Sequence, residues 1–351
     1  MHSSLKRKIK TNELKIYKAR SRRRNFEKNR NIQLQYRRYK GEKRKPNSYI
    51  NYRFRVETIS FPQDSTYIGN FNSFNQFINK ILAKINSKTQ NKIRKINFDL
   101  SRVELIDSAA INVILTMVNY LGRQGIRVSG NLPDNESAKN ILINSGFFTK
   151  VKTTQEFAKP SDRIFNLSGD DQTNEEAIGA EIRIICKRLL GYERTYSPLY
   201  NTLGEIAGNS VEHANTDLSN KNWFMSVHYE DDKAIIQMAD IGKGILKTLN
   251  LLLKQEVLRV LRHSLAHEIL KKLFMGTYQS STREKNRNNG LPDMLTRYNN
   301  KFINNVIVVS NNAVYDFSGN LSTTLNHSFH GTFYSIEITK ENITKWLDRL
   351  K

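Results

Sequence analysis

The stretch Leu203-Gly204-Glu205-Ile206-Ala207-Gly208-Asn209-Ser210-Val211-Glu212-His213-Ala214 restricts the fold of this chain more than any other. Wound at about 100° per residue, it puts Glu205, Asn209, Glu212 and His213 on one arc, with Leu203, Ala207, Val211 and Ala214 opposite. Such a helix packs one face on a sheet and presents a carboxylate and a carboxamide one turn apart on the other. A merely solvated amphipathic helix has the same pattern, so this stretch alone decides nothing. Three more pieces follow it in order: Asp240-Ile241-Gly242-Lys243-Gly244-Ile245, Asn289-Gly290-Leu291 and His330-Gly331-Thr332.

In that order the four pieces resemble the GHKL ATPase superfamily, which includes histidine kinases, gyrase B subunits and MutL repair proteins. The resemblance spans roughly residues 160–340 and is strongest to the bacterial anti-sigma-factor serine kinases, whose nucleotide helix carries an Asn followed by His-Ala or His-Gly. It implies ATP and Mg2+ as cofactors. Asn209 would offer a neutral oxygen to magnesium, which prefers hard oxygen ligands. Glu205 would be the general base, orienting a water or deprotonating a serine hydroxyl for attack on the γ-phosphate.

On the same resemblance, Asp240 would accept a hydrogen bond from the exocyclic amine of adenine, favouring ATP over GTP. Gly242 and Gly244 would let the backbone pass beneath the base. Gly290, followed by Leu291, would cradle phosphates at a helix start. Gly331 and Thr332 complete the set, Thr332 supporting Asp240 through its hydroxyl or a water. His213 either contacts a phosphate or pins the helix to a lid. The polar run 278–289 has no apolar anchor and reads as that lid, with Arg283, Lys285 and Arg287 facing the γ-phosphate. One departure stands out: a single glycine, Gly290, remains between Asn289 and Pro292.

The 351 residues suggest about two domains, and 38% apolar residues suffice for sizeable cores. A lone cysteine, Cys186, excludes an internal disulfide and any multi-cysteine metal site, and it reads as a core residue in a reducing, cytoplasmic protein. No run approaches the roughly 18 apolar residues of a membrane span, and no apolar signal core follows the basic N-terminus.

The net charge of +23 is uneven: residues 1–54 hold nineteen Lys or Arg and three Glu, a net of +16, leaving +7 for the rest. With Tyr17, Phe26, Tyr36 and Tyr39 among the cations and few aliphatic residues, this segment reads as a disordered or helical basic arm. Gripping DNA or RNA, docking on an acidic protein and lying on an anionic membrane all remain open for it.

Residues 55–155 read as a compact α/β unit. Ile96, Phe98 and Leu100 alternate with polar residues as in a strand. After Asp107-Ser108 a helix carries Ala110, Val113, Ile114, Met117, Val118 and Leu121 at three-four spacing. A strand at 126–128 and a helix at 136–143 follow, then Asn144-Ser145-Gly146-Phe147. Phe98-Asp99-Leu100-Ser101-Arg102-Val103-Glu104-Leu105-Ile106-Asp107-Ser108 and Ile141–Phe147 resemble the STAS domain of anti-anti-sigma factors. In that family the Ser after Asp is phosphorylated; here Ala109-Ala110 replaces the usual Ser-Gly, and Asp107 or Ser108 serves equally as a helix cap.

The expected fold is therefore α/β: a basic arm (1–54), a STAS-like α/β domain (55–155), a linker at 156–163, and a GHKL two-layer α/β sandwich (164–351). Helices at 174–190 and from Pro292, and strands at 224–229, 234–238, 306–309 and 332–338, would build the sandwich. The expected function is an ATP-binding regulatory switch that hydrolyses ATP with Mg2+ to control a protein partner held through the STAS-like domain. The alternatives are a serine protein kinase of the anti-sigma type, or a nucleic-acid-associated ATPase in defence or repair. The resemblance leaves a homodimer open.

Overall fold

The computed structural model describes residues 55–86, 93–156, 164–169, 173–213, 223–252, 265–277 and 290–351. The arm 1–54 and the run 278–289, with Arg283, Lys285 and Arg287, lie outside the described residues. So do Ala214 and the side chains of Glu212 and His213.

The strand expected around Ile96 is β3 (Ile93–Asp99), with Ile96 and Phe98 buried. It is the middle strand of a parallel three-stranded sheet between β1 (Arg55–Ser60) and β5 (Arg127–Gly130). A short parallel pair, β2 (Asp64–Ser65) with β4 (Leu105–Ile106), lies beside it. Three helices accompany these strands: α1 (Phe71–Asn86), α2 (Ser108–Arg123) and α3 (Glu136–Asn144).

Asp107 is the N-cap of α2. Its carboxylate accepts from the Ala110 N–H at 2.7 Å and from the Tyr67 and Ile68 N–H groups at 2.9–3.1 Å. The capping role open between Asp107 and Ser108 thus falls to Asp107, whose longer reach also ties the loop before α1 to the helix start.

The second sheet has strand order β6 (Ile164–Gly169), β7 (Trp223–Tyr229), β8 (Lys233–Asp240), β10 (Thr323–Thr339), β9 (Asn304–Asp316), antiparallel throughout. Around it stand α4 (Glu175–Leu190), α5 (Ser197–His213), α6 (Ile245–Leu252), α7 (Ala266–Phe274), α8 (Gly290–Asn299) and α9 (Lys340–Asp348).

Side chains alternate across a strand, so this sheet feeds two cores. Trp223, Met225, Val227, Ile236, Met238, Tyr334 and Ile336 pack against α4, α5 and their neighbours. Phe224, Ala239, Val309 and Phe333 instead join the core of the N-terminal half, beside Tyr67, Phe74 and the residues of α2. The sheet is a wall shared by two cores, and its strands read as near-continuous buried runs for that reason.

This wall explains α2. The expected stripe is buried, but Ala109, Ile111, Asn112, Leu115 and Thr116 are buried as well, because the helix lies between its own sheet and the second one. Polar Asn112 finds partners there, its Nδ2 donating to Ser226 Oγ at 2.9 Å and to the Gln237 carbonyl at 3.1 Å. Helix α1 presents Asn72, Asn75 and Asn79 to the irregular part of β10. The Asn75 and Asn79 amides donate to the carbonyls of His327 and Ser328 at 3.0 Å, and Asn72 Oδ1 accepts from the N–H groups of Asn326 and His327.

Several boundaries differ from expectation. Helix α5 begins at Ser197, since Leu199 continues the buried stripe upstream and Pro198 sits in the first turn, where its missing N–H is harmless. β9 and β10 extend far beyond 306–309 and 332–338 because each sustains the other by pairing. β6, α1 and α9 were not anticipated.

Candidate functional site

Helix α5 buries Leu199, Leu203, Ile206 and Ala207 against the second sheet, leaving Glu205 half-buried and Asn209 exposed one turn further on. Ser210 turns inward. Its hydroxyl lies 3.0 Å from the Ile206 carbonyl and 3.3 Å from Asp240 Oδ2.

Asp240 ends β8 beneath this helix, 5% exposed. Among the described residues nothing hydrogen-bonds its Oδ1, although that atom is shut away from solvent. Burial pushes the carboxyl up to about 7, against the pull of the Ser210 hydroxyl and the Thr332 backbone N–H. Thr332 is the cross-strand partner of Asp240, and it supports the carboxylate through the main chain. Its hydroxyl lies 3.3 Å from Ser310 Oγ.

Two glycines let the backbone close around Asp240. Gly331 has φ +135°, and a Cβ there would lie 2.0 Å from the Asp240 carbonyl oxygen. Gly244 has φ +76°, and a Cβ would meet Asn311 Oδ1 at 2.6 Å and the Gly331 carbonyl at 2.7 Å. The Gly242 N–H donates to the His330 carbonyl at 3.3 Å, closing the loop after β8 onto β10.

Ser310 and Asn311 of β9 fix this loop from below. Ser310 Oγ accepts from the Ile245 N–H at 2.8 Å, and Asn311 Oδ1 accepts from the N–H groups of Leu246 and Lys247 at 3.1 and 3.2 Å. Asn311 Nδ2 donates to the Lys243 carbonyl at 2.7 Å. Neither residue was singled out from the sequence. The only signal was a polar Ser310-Asn311-Asn312 run after an apolar strand.

A second cluster centres on Glu205. Arg297, on α8, forks onto it, Nη1 to Oε2 and Nη2 to Oε1 both at 3.2 Å, while Nη1 also donates to Thr202 Oγ1 at 3.1 Å. Asp293 Oδ2 lies 3.9 Å from the same guanidinium. Gly290 opens α8 against the carboxylate, since a Cβ there would lie 3.3 Å from Glu205 Oε2. Burial raises the Glu205 carboxyl above its ordinary value, and Arg297 opposes that rise. Leu291 packs half-buried against the adjoining core. Sequence reasoning missed Arg297, because nothing in the spacing shows which acid a helical arginine will meet.

The fold thus brings Glu205 and Gly290 together, and Asp240, Gly242, Gly244, Gly331 and Thr332 together, with α5 joining the groups through Ser210. Asn209 stands beside them at the surface. Arg287 lies outside the described residues. Among the described residues the site combines a buried acceptor with no donor, a floor built of close backbone, and a carboxylate held by Arg297.

Ser108, the first residue of α2, sits on the opposite face of the second sheet. Gln237, from β8, meets it there: the carboxamide oxygen accepts from Ser108 Oγ at 2.9 Å and from the Ala109 N–H at 3.2 Å, and the nitrogen donates to the Ser108 carbonyl at 2.9 Å. The Ala110 and Ala109 N–H groups at this helix start are thus occupied by Asp107 and Gln237.

Residues 62–130, from the end of β1 through β5, match the family described as the STAS domain. No curated protein matches the chain. The STAS match supports a regulatory role of the anti-sigma-antagonist kind, and STAS domains commonly bind protein partners. Among the described residues no helix is long and apolar enough to cross a membrane.

Proposed function

We propose that this protein is an ATP-binding regulatory switch, with a GHKL-type nucleotide site on one face of the five-stranded sheet and the STAS domain packed on the other. The observation that carries this reading is Asp240 Oδ1, a buried acceptor at the end of a central strand with no donor assigned to it. Such an atom is costly unless a ligand supplies the hydrogen. The exocyclic amine of adenine is a donor that fits. A guanine would present a carbonyl there and repel it. The glycines at 244 and 331 let the loop after β8 close tightly around Asp240 and hold that acceptor in place.

Asn209 would hold magnesium, which supplies charge neutralisation along the phosphates when bound. Glu205 is placed to hold a water or a hydroxyl and accept its proton. In the present arrangement it is bonded to Arg297, so it becomes available only when that fork opens. Arg297 therefore acts as the restraint on turnover in this reading.

The serine-kinase alternative is less favoured by the arrangement. Ser108 and Glu205 lie on opposite faces of one sheet, and Gln237 fills the helix start where a phosphate on Ser108 would sit. The STAS domain then serves as a docking module, and its own serine stays unmodified.

Calorimetry with Mg·ATP and Mg·GTP on wild type and Asp240→Asn tests the assignment. ATP is expected to bind in preference to GTP, and Asp240→Asn is expected to lose that preference. Equal, tight ATP binding by both proteins sinks it.

A further inference from the structure

A cleft of about 800 Å³ lies on the STAS domain, away from the nucleotide site, between the last turns of α2 and the start of β5. Its floor is apolar, from Val118 and Ile126, and its lining carries Arg123, Arg127, Lys150 and Lys152 and, among the described residues, no acidic one. All four cations are exposed. Among the described residues no carboxylate pairs with Arg127, Lys150 or Lys152. Three chain segments supply these cations: the end of α2, β5, and the strap at 150–152, which Lys152 joins to β5 by a parallel bridge at Ser129.

We infer that this cleft grips the phosphate backbone of a nucleic acid. Among the described residues the walls contain no aromatic ring to stack a base. At the end of α2 the last carbonyls are taken up by the N–H groups of Gln124, Gly125 and Ile126. What remains is a rim of long cations, which suits charge spread along a strand and reads no sequence. Arg55, which pairs with Glu57, and Arg127 open β1 and β5 at the same end of a parallel sheet. This inference does not depend on nucleotide binding.

The test uses the full chain and a fluorescently labelled mixed-sequence DNA duplex, titrated at several salt concentrations. R127Q/K150Q/K152Q is expected to weaken binding about tenfold or more and to make the slope of log affinity against log salt shallower by about 2 to 3. The charge-keeping R127K/K150R/K152R is expected to bind like wild type. So is K340Q/K345Q/K351Q, which removes equal charge from the C-terminal segment. Singles R127Q and K152Q, each expected to give a smaller loss, keep the test readable if the triple variant does not fold.

Wild-type affinity and slope in the cleft variants overturn the inference. Equal weakening by the C-terminal control overturns it, as does a chain that binds phosphatidylserine vesicles and not the duplex.

Discussion

Asp240 makes the stability of this protein depend on pH. Its carboxyl rises from an ordinary 3.8 to about 7 on burial, so the folded state holds the proton more tightly than the unfolded chain. That contribution is fully present below about 3.8 and is lost as pH rises through about 7. Above that, the buried charge costs on the order of 4 kcal/mol. Asp240→Asn is neutral at every pH. Its urea midpoint is expected to exceed that of wild type at pH 8, with the gap closing toward pH 4. A gap independent of pH would show that this carboxyl is not the source.

Glu205 and Arg297 give a second prediction at this scale, resting on the proposed turnover. Glu205→Ala is expected to keep nucleotide affinity and lose about 100-fold or more in turnover, because a general base serves the transition state. Arg297→Ala removes the group that holds the Glu205 carboxyl down, leaving burial unopposed. The acid limb of its pH–rate profile should move to higher pH. An unmoved limb would separate Arg297 from the chemistry. Asp240 and Glu205 were both legible in the sequence through their places in an ordered set of motifs. Ser210, Arg297 and Asn311 were not, because what marks them is a partner distant in sequence.

Among the elements, α2 shows how far a pattern reaches and where it ends. Three-four spacing at Ala110, Val113, Ile114, Met117 and Leu121 reveals a helix with one buried face. The second buried face includes Asn112 and Thr116, polar residues that periodicity assigns to solvent. Only the second sheet, brought in from residues 223–240, makes them interior. Asn112→Leu is expected to destabilise the protein by about 1–3 kcal/mol, since Ser226 and the Gln237 carbonyl lose a buried donor. Chemical denaturation would measure it, and a neutral result would mean water replaces the amide.

Helix α1 was missed for a related reason. Its asparagines at 72, 75 and 79 look like a polar face, yet each hydrogen-bonds the β10 backbone. β6 and α9 are short terminal additions to a sheet and a core already formed, and short elements carry weak patterns. At α2 the Gln237 contact also makes a specific expectation. After incubation with Mg·ATP, mass spectrometry should find Ser108 unmodified. Stoichiometric phosphate there would restore the kinase reading.

At the scale of the whole molecule, residues 54–351 pack as one compact unit, although the sequence suggests two domains within them. Nucleotide on one face of the sheet and a protein partner near α2 on the other would act on the same strands. Hydrogen exchange gives this a measurable form: Mg·ATP is expected to slow exchange in β8 and α2 together. Protection confined to α5 and β8 would mean that the wall transmits nothing.

The shared wall has one more consequence, for how the chain is made. Phe224, Val309 and Phe333 are buried in the core that the N-terminal half builds, so the C-terminal half leaves the ribosome needing a cover that is already synthesised. Cut between 156 and 164, each half would carry a bare, complementary greasy face. Expressed apart they should precipitate; expressed together they should recover each other as a noncovalent pair. Evolution could divide this gene only by keeping its two products in the same place at the same time.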